Sequence, residues 1–199
     1  MQFDKSIIHS IIEGLHLTDE IQVKDIPDIG LYMDQLLEFL NRRLSPAKRD
    51  ILDKGLTKTM INNYTKDQLM IPPENKKYST YHIMLLILIC QLKSILSISD
   101  IKKLLAPMLN DIGTPDDDII PLEEIYNTFL DLKRQQFSEF QESFIDKVKH
   151  IESKMSSIDT EQREEAELFL TVLLLTAQAN ASKRLAEKLI DTYFVGKTE

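Results

Sequence analysis

The sequence predicts an all-α protein, with a helix-turn-helix core followed by a long C-terminal helical hairpin. Glycine and proline are scarce, at 5 and 7 of 199 residues. Apolar residues recur at steps of three and four along most of the chain, which is the spacing of one helix face. No Asn-Gly or Asp-Gly pair joins alternating apolar runs, so the sequence does not indicate β-hairpins.

The first two helices are predicted where apolar stripes lie between helix breakers. Residues 4–17 and residues 31–44 each carry such a stripe. Pro27 and Gly30 interrupt the helical pattern between them. We therefore expect a loop at this point.

The next two segments have the spacing of a helix-turn-helix. Ser45 and Pro46 are typical of a helix start, and Gly55 is suited to the turn that follows. Thr57 is then expected to cap a second short helix ending at Lys66. The inner side of this second helix is predicted to hold Met60, Ile61 and Tyr64.

The polar side of this second helix carries groups that recognise DNA. Asparagine pairs with the major-groove edge of adenine, and lysine donates to the edge of guanine. A helix N-terminus also binds phosphate, so Thr57 is expected to contact the DNA backbone. The predicted groove-facing residues are Lys58, Asn62, Asn63 and Lys66.

The charge distribution favours a basic module on an acidic body. The whole chain has a net charge of −8, from 24 Lys and Arg against 32 Asp and Glu. Residues 42–103 reverse this balance, with 12 basic and 5 acidic side chains. Such a segment could dock on phosphates while the remainder repels them.

Two more helices are predicted at about 80–94 and 100–109. Residues 113–121, rich in proline and aspartate, are the predicted boundary between an N-terminal domain, 1–112, and a C-terminal domain, 121–199. The candidate capping residues of the two helices are Ser79 or Thr80 and Ser97 or Ser99.

The C-terminal domain is predicted to form a helical hairpin. Apolar residues recur at steps of three and four from Leu122 to Met155, with one gap at Gln136. A second dense pattern runs from Asp159 or Thr160 to about Phe194. Two long helices joined by a short loop pack as an antiparallel pair.

The segment from Lys54 to Leu105 resembles the MerR winged helix-turn-helix. The match begins with a turn glycine and a small apolar residue before a Thr cap, followed by a helix ending in tyrosine. A Leu-x-x-Pro exit comes next, and the segment closes with Ser, an apolar residue, any residue, and then Asp-Ile-Lys-x-Leu-Leu. The resemblance implies a wing with Lys76, Lys77 and Tyr78 contacting the DNA backbone. It also implies homodimerisation through the C-terminal hairpin.

Over a greater length the chain resembles an uncharacterised bacterial family, domain of unknown function 1836. The phrases at Leu31–Gln35, Leu56–Lys66 and Lys76–Ile83 carry this resemblance. The chain departs from the MerR pattern at Asn62, where arginine is usual, and its wing is short. Two functions therefore stay open: a double-stranded-DNA-binding transcription regulator, or a non-catalytic protein-interaction module that keeps the helix-turn-helix as scaffold.

Other functional classes are not indicated. Four histidines and one cysteine, Cys90, show no metal-ligand spacing, and no phosphate-binding or nucleophile motif occurs. We expect no catalytic activity, no metal and no cofactor. The single cysteine, the absence of a secretion signal and the short apolar runs predict a cytoplasmic protein without a membrane span.

Overall fold

The computed structural model describes residues 7–44, 55–109, 121–158 and 160–194. Within these ranges the chain is mostly helical, which confirms the all-α prediction. The elements are α1 (Ile8–Glu13), a 3-10 turn (Val23–Asp25), β1 (Leu31–Tyr32), α2 (Met33–Leu44), α3 (Lys58–Lys66), β2 (Lys77–Tyr78), α4 (Thr80–Leu92), α5 (Ile98–Leu109), α6 (Leu122–Met155) and α7 (Thr160–Tyr193).

The chain divides into two compact units. One, here called the core unit, comprises residues 19–130 and 186–199; the other, the hairpin unit, comprises residues 1–18 and 131–185. Helices α6 and α7 contribute residues to both units. The predicted boundary between residues 112 and 121 stays a prediction, since residues 110–120 lie outside the described part of the chain.

The core unit is organised around α4. This helix is apolar on all sides, and eight of its residues are buried, from His82 to Ile89. A helix without a polar face must be covered all round, and the neighbouring elements supply that cover. Tyr126, at the start of α6, is fully buried and donates a 2.8 Å hydrogen bond from its hydroxyl to the carbonyl oxygen of Ile21.

A small antiparallel sheet was not predicted. Leu31 pairs with Tyr78 and Tyr32 pairs with Lys77. The predicted helix at 31–44 therefore begins two residues later, at Met33. The backbone groups of Leu31 and Tyr32 are satisfied by a segment far along the chain rather than by a helical turn.

The hairpin unit contains most of the two predicted long helices. Helices α6 and α7 have 34 residues each, which confirms the C-terminal hairpin. Phe144, Val148 and Ile151 on α6 are buried, as are Glu167 and Thr171 on α7. Residues 4–6 of the predicted N-terminal helix at 4–17 lie outside the described part of the chain. Helix α1 ends at Glu13, earlier than predicted, because the chain turns at the following glycine.

The predicted helix from Ser45 to Gly55 falls almost wholly on residues 45–54, which lie outside the described residues. The first helix of the predicted helix-turn-helix is therefore not described. Among the helices that are described, none combines the length and apolar character needed to cross a bilayer.

Candidate nucleic-acid interface

Helix α3 begins at the threonine cap that the sequence predicts. Thr57 has extended backbone angles, φ −121° and ψ 157°, and its Oγ1 accepts a hydrogen bond from the Met60 amide at 3.3 Å. This bond satisfies one of the amides that have no partner within the first helical turn. A nine-residue helix is too short to be stable alone, so its position depends on packing.

The inner side of α3 packs into the core unit as predicted. Ile61 is fully buried and Tyr64 is 6% exposed, while Met60 is half-buried. Successive residues turn by about 100° around a helix, so the side chains away from Ile61 and Tyr64 point outward. Thr65 is half-buried, and its hydroxyl donates to the Ile61 carbonyl oxygen at 3.2 Å. The polar face of α3 consists of these exposed residues: Lys58, Thr59, Asn62, Asn63 and Lys66.

The polar face of α3 is basic, and the nearest carboxylate along the chain is that of Asp67, the exposed residue that follows Lys66 at the C-terminal end of the helix. Its charged groups are the ammonium groups of Lys58 and Lys66, with two asparagine amides between them. The amides can both donate and accept hydrogen bonds. This combination of donors and positive charge is suited to an anionic polymer with hydrogen-bonding edges.

The entry to α3 is held by a side chain of α2. Asn41 donates from Nδ2 to the carbonyl oxygen of Leu56 at 2.9 Å, and its Oδ1 accepts from the Leu56 amide at 2.8 Å. Leu56 itself is 4% exposed. The side-chain amide of Asn41 thus holds Leu56, the residue that precedes the Thr57 cap, in place. Local sequence patterns do not predict this contact, because the two residues are 15 positions apart.

The exit from α3 brings in a lysine that the sequence analysis did not select. The chain leaves the helix through Gln68, which has a positive φ of 61°, and Leu69 is then fully buried. Lys102 on α5 donates to the Gln68 side-chain oxygen at 3.1 Å. Its ammonium group therefore lies at the C-terminal end of α3. The sequence places Lys102 in the basic segment and in the closing Asp-Ile-Lys of the MerR-like pattern, but neither signal predicts its contact with Gln68.

The predicted wing is a tight turn before β2. Asn75 and Lys76 both have positive φ, 48° and 64°, and the Lys77 amide donates to the Glu74 carbonyl at 2.8 Å. Lys76 and Lys77 are exposed, and the Lys77 ammonium lies 5.4 Å from the centre of the Tyr32 ring. Both predicted wing lysines are therefore open to solvent.

Gly30 permits the approach of the wing to the segment before β1. A Cβ atom at Gly30 would lie 2.9 Å from the Lys77 Cβ atom. No side chain fits in that space without displacement of the strand.

Tyr78, unlike the exposed wing residues Lys76 and Lys77, is buried. Its side chain is 4% exposed, packs edge-on against the His82 ring at 5.6 Å, and has a pKa raised by burial. Tyr78 is therefore part of the core in this structure, and the exposed predicted residues are the four on α3 and the two wing lysines. Thr57 is half-buried, since its hydroxyl caps the helix.

His82 links the start of α4 to the loop after α3. Its Nδ1 accepts from the Ser79 amide at 3.1 Å, and its Nε2 lies 3.4 Å from the Pro72 carbonyl oxygen. Burial lowers the pKa of His82 below its ordinary value of 6.5, although Pro72, Ile71 and Glu74 act in the opposite direction. The neutral ring is therefore the form that the fold favours.

We expect His82 to make the fold less stable in acid. Because its folded-state pKa is lower than its unfolded-state value, its contribution is fully present above about pH 6.5 and is lost as the pH falls. The loss is at most about 1.4 kcal/mol per pH unit for one proton. Urea unfolding between about pH 5 and 7.5 should show this component in the wild type and not in His82→Gln, which keeps a side-chain acceptor. His150→Gln, at an exposed histidine, is the control; an equal pH dependence in all three proteins would contradict the assignment.

Comparison with known proteins gives a family and no characterised relative. The sequence model of a family described as "Domain of unknown function (DUF1836)" matches residues 21–129. No curated protein matches the chain, and no solved structure matches it. The matched segment lies within the core unit and includes β1, α3, the wing and α4. Because the match covers more than half of the 199 residues, the chain belongs to the DUF1836 family.

Proposed function

We propose that this protein binds double-stranded DNA through the polar face of α3, as a transcription regulator with a MerR-like helix-turn-helix. The observation that carries the proposal is the division of α3 into two sides. Ile61 and Tyr64 are buried, whereas both lysines and both asparagines of the face are exposed and no carboxylate lies among them. A short helix with this arrangement presents donors and positive charge to a major groove.

Each exposed group has a distinct role in this proposal. Asn62 lies at the centre of the polar face and pairs with an adenine edge, with Asn63 beside it. Lys58 and Lys66 donate to guanine edges or to the flanking phosphates. Lys76 and Lys77 hold the DNA backbone from the wing.

Binding alone accounts for the proposed activity, and no reaction is required. The one cysteine, Cys90, has a pKa raised to about 11 by burial, so it is a protonated thiol at neutral pH. We further propose that the protein acts as a homodimer through the C-terminal hairpin. A two-fold dimer would place two α3 helices on two half-sites of a palindromic DNA sequence.

We expect binding to weaken steeply with salt. Four lysines per subunit, two on α3 and two in the wing, give up to about four phosphate contacts. The slope of log affinity against log salt should then be about −3 to −4 per subunit, because each contact releases condensed counterions.

The test is a fluorescence-anisotropy titration with random genomic duplexes at low salt. The variant Lys58→Ala/Asn62→Ala/Lys66→Ala should lose affinity by about 30-fold or more, since it removes base and phosphate contacts together. The control, Lys149→Ala/Lys154→Ala, removes the same two charges from exposed positions on α6 and should bind nearly as the wild type does. An equal loss in both variants, or no binding by the wild type at micromolar protein, would refute the proposal.

A protein-interaction role is the second candidate. It is favoured by two large apolar side chains beside β1, Ile29 at 68% and Tyr32 at 52% exposure. The lack of arginine among the five residues of the polar face also favours it, since lysine binds phosphate and guanine less specifically. If the titration shows no DNA binding, this surface becomes the first to examine by mutation.

A further inference from the structure

Several large apolar side chains of α7 in the hairpin unit are open to solvent, and three of them lie together on one side of the helix. Phe169, Val172 and Leu173 are 64%, 55% and 47% exposed. Glu167 and Thr171, which lie on the opposite side of the helix at about 100° per residue, are only 2% and 6% exposed. Monomeric proteins seldom leave adjacent large apolar residues uncovered, so such a surface indicates a binding face.

The outer face of α7 continues beyond these three residues in both directions. Helical spacing adds a glutamate before them and small or polar residues after them, ending at an arginine, and the added residues are exposed. The outer face of α7 is defined here as Glu165, Phe169, Val172, Leu173, Thr176, Ala177, Asn180 and Arg184.

The two halves of this outer face are complementary to each other. The N-terminal half has an acidic end at Glu165 and a bulky residue at Phe169; the C-terminal half has the smaller Asn180 and a basic end at Arg184. Among the ion pairs described for this structure, none includes Glu165 or Arg184. If a second copy of α7 packed in the opposite direction, the bulky Phe169 would face the smaller Asn180 and the acidic Glu165 would face the basic Arg184.

All the matched pairs between two antiparallel copies of the outer face of α7 share one register. Glu165 with Arg184, Phe169 with Asn180, and Leu173 with Thr176 are all centred on one point, midway between Leu173 and Thr176. A two-fold axis at that point would therefore make both charge contacts and both size matches at once. A parallel arrangement would place glutamate against glutamate and align the helix dipoles unfavourably.

We propose that the outer face of α7 binds the same face of a second copy of this chain in antiparallel orientation, with Glu165 facing Arg184 of the partner subunit. The inference specifies the surface of the dimer and so rests on the dimerisation part of the proposed function. It does not depend on the DNA-binding part. The contact is isologous, so it closes after two copies and does not extend into a fibre.

Sedimentation velocity of the full chain from about 1 to 100 μM tests this surface. The wild type should form a concentration-dependent dimer of twice the 23.1 kDa chain mass. Phe169→Glu should raise the dimer Kd by about 30-fold or more, because it replaces the bulkiest apolar residue of the outer face with a charged one. The control is Leu185→Glu, a residue of similar exposure at 62% that lies on the other side of α7; it should change Kd by less than about 3-fold.

The charged pair tests the orientation. Glu165→Lys and Arg184→Glu should each weaken the dimer by roughly 10-fold, since each creates two like-charge contacts across the axis. The double variant, Glu165→Lys/Arg184→Glu, should recover wild-type affinity within about 3-fold, because the charges are exchanged and still complementary. Circular dichroism of each variant verifies that the helices are intact.

Each outcome has a separate meaning. A wild type that stays monomeric over this range overturns the inference together with the proposed dimerisation. A dimer that Phe169→Glu does not weaken overturns the surface, and a double variant that shows no recovery overturns the antiparallel register, while dimerisation itself stands. DNA binding of the same variants is measured separately, so its failure would leave the dimer result unaffected.

Discussion

Truncating Ile61 to alanine is expected to lower the free energy of unfolding by about 2–5 kcal/mol, the range found when a buried isoleucine or leucine loses its side chain. Ile61 is fully buried on the inner side of α3. The loss has two sources: three carbon atoms no longer leave water on folding, and a cavity remains among the surrounding core residues.

The consequence of Ile61→Ala should be concentrated in α3. A helix of nine residues has little stability of its own, so Ile61 and Tyr64 hold it against the core unit. Amide hydrogen exchange should therefore accelerate in α3 more than in α4, where Leu85 and Leu86 remain buried. DNA affinity, if it depends on the polar face of α3, should fall as well.

Asn62→Ala is the matched control for Ile61→Ala. The two residues are adjacent on the same helix, but Asn62 is exposed, so its truncation should change stability by less than about 0.5 kcal/mol. Urea unfolding of the two variants gives the comparison. Similar stability losses would show that α3 is not anchored by its inner side, which would remove the geometric basis of the proposed interface.

Helix α3 could be predicted from the sequence because its signals are local. Thr57 caps the first turn, Ile61 and Tyr64 are spaced for one face, and all three positions lie within eight residues. Helix α6 could likewise be predicted, from apolar residues that recur every three or four positions between Leu122 and Met155 with one gap at Gln136. Near the start of α6, however, Tyr126 and Leu130 are buried, whereas Phe129 and Leu132 are 37% and 61% exposed. Apolar spacing therefore predicts this helix, but not which of its sides the neighbouring residues cover.

The two-stranded sheet could not be predicted in the same way. Leu31 and Tyr32 continue the apolar pattern of α2, and a two-residue strand contains no alternation to detect. Their pairing with Lys77 and Tyr78 depends on a partner some 46 positions away, which local spacing does not encode. The burial of Tyr78 has the same origin, since this pairing and the contact with His82 place its ring in the core.

The candidate interface shows the same limit. The hydrogen-bonding groups of lysine and asparagine were enough to predict the exposed residues of α3. They did not predict Lys102, which contacts Gln68 from another helix. They also did not predict Asn41, whose contact with Leu56 depends on how α2 and the entry to α3 are placed together. Side chains that position a face, rather than form it, are found only in the folded chain.

Replacing Asn41 with alanine is accordingly expected to cost roughly 2–4 kcal/mol of folding free energy, because both polar backbone groups of Leu56 lose their partner. Each unsatisfied group costs about 1–3 kcal/mol when buried, and these bonds are only partly buried. Asn41→Asp should be intermediate, since its carboxylate still accepts from the Leu56 amide but cannot donate to the Leu56 carbonyl.

The matched control for Asn41 is Asn127→Ala, which removes the same group from an exposed position on α6 and should be close to neutral. Chemical denaturation gives the ranking of stability, with Asn127→Ala nearest the wild type, then Asn41→Asp, then Asn41→Ala. If the hydrogen bonds to Leu56 also set the position of α3, DNA affinity at low temperature, where every variant is folded, should follow the same ranking. Full affinity in a folded Asn41→Ala would show that the Thr57 cap and the Ile61 anchor position the polar face without help from α2.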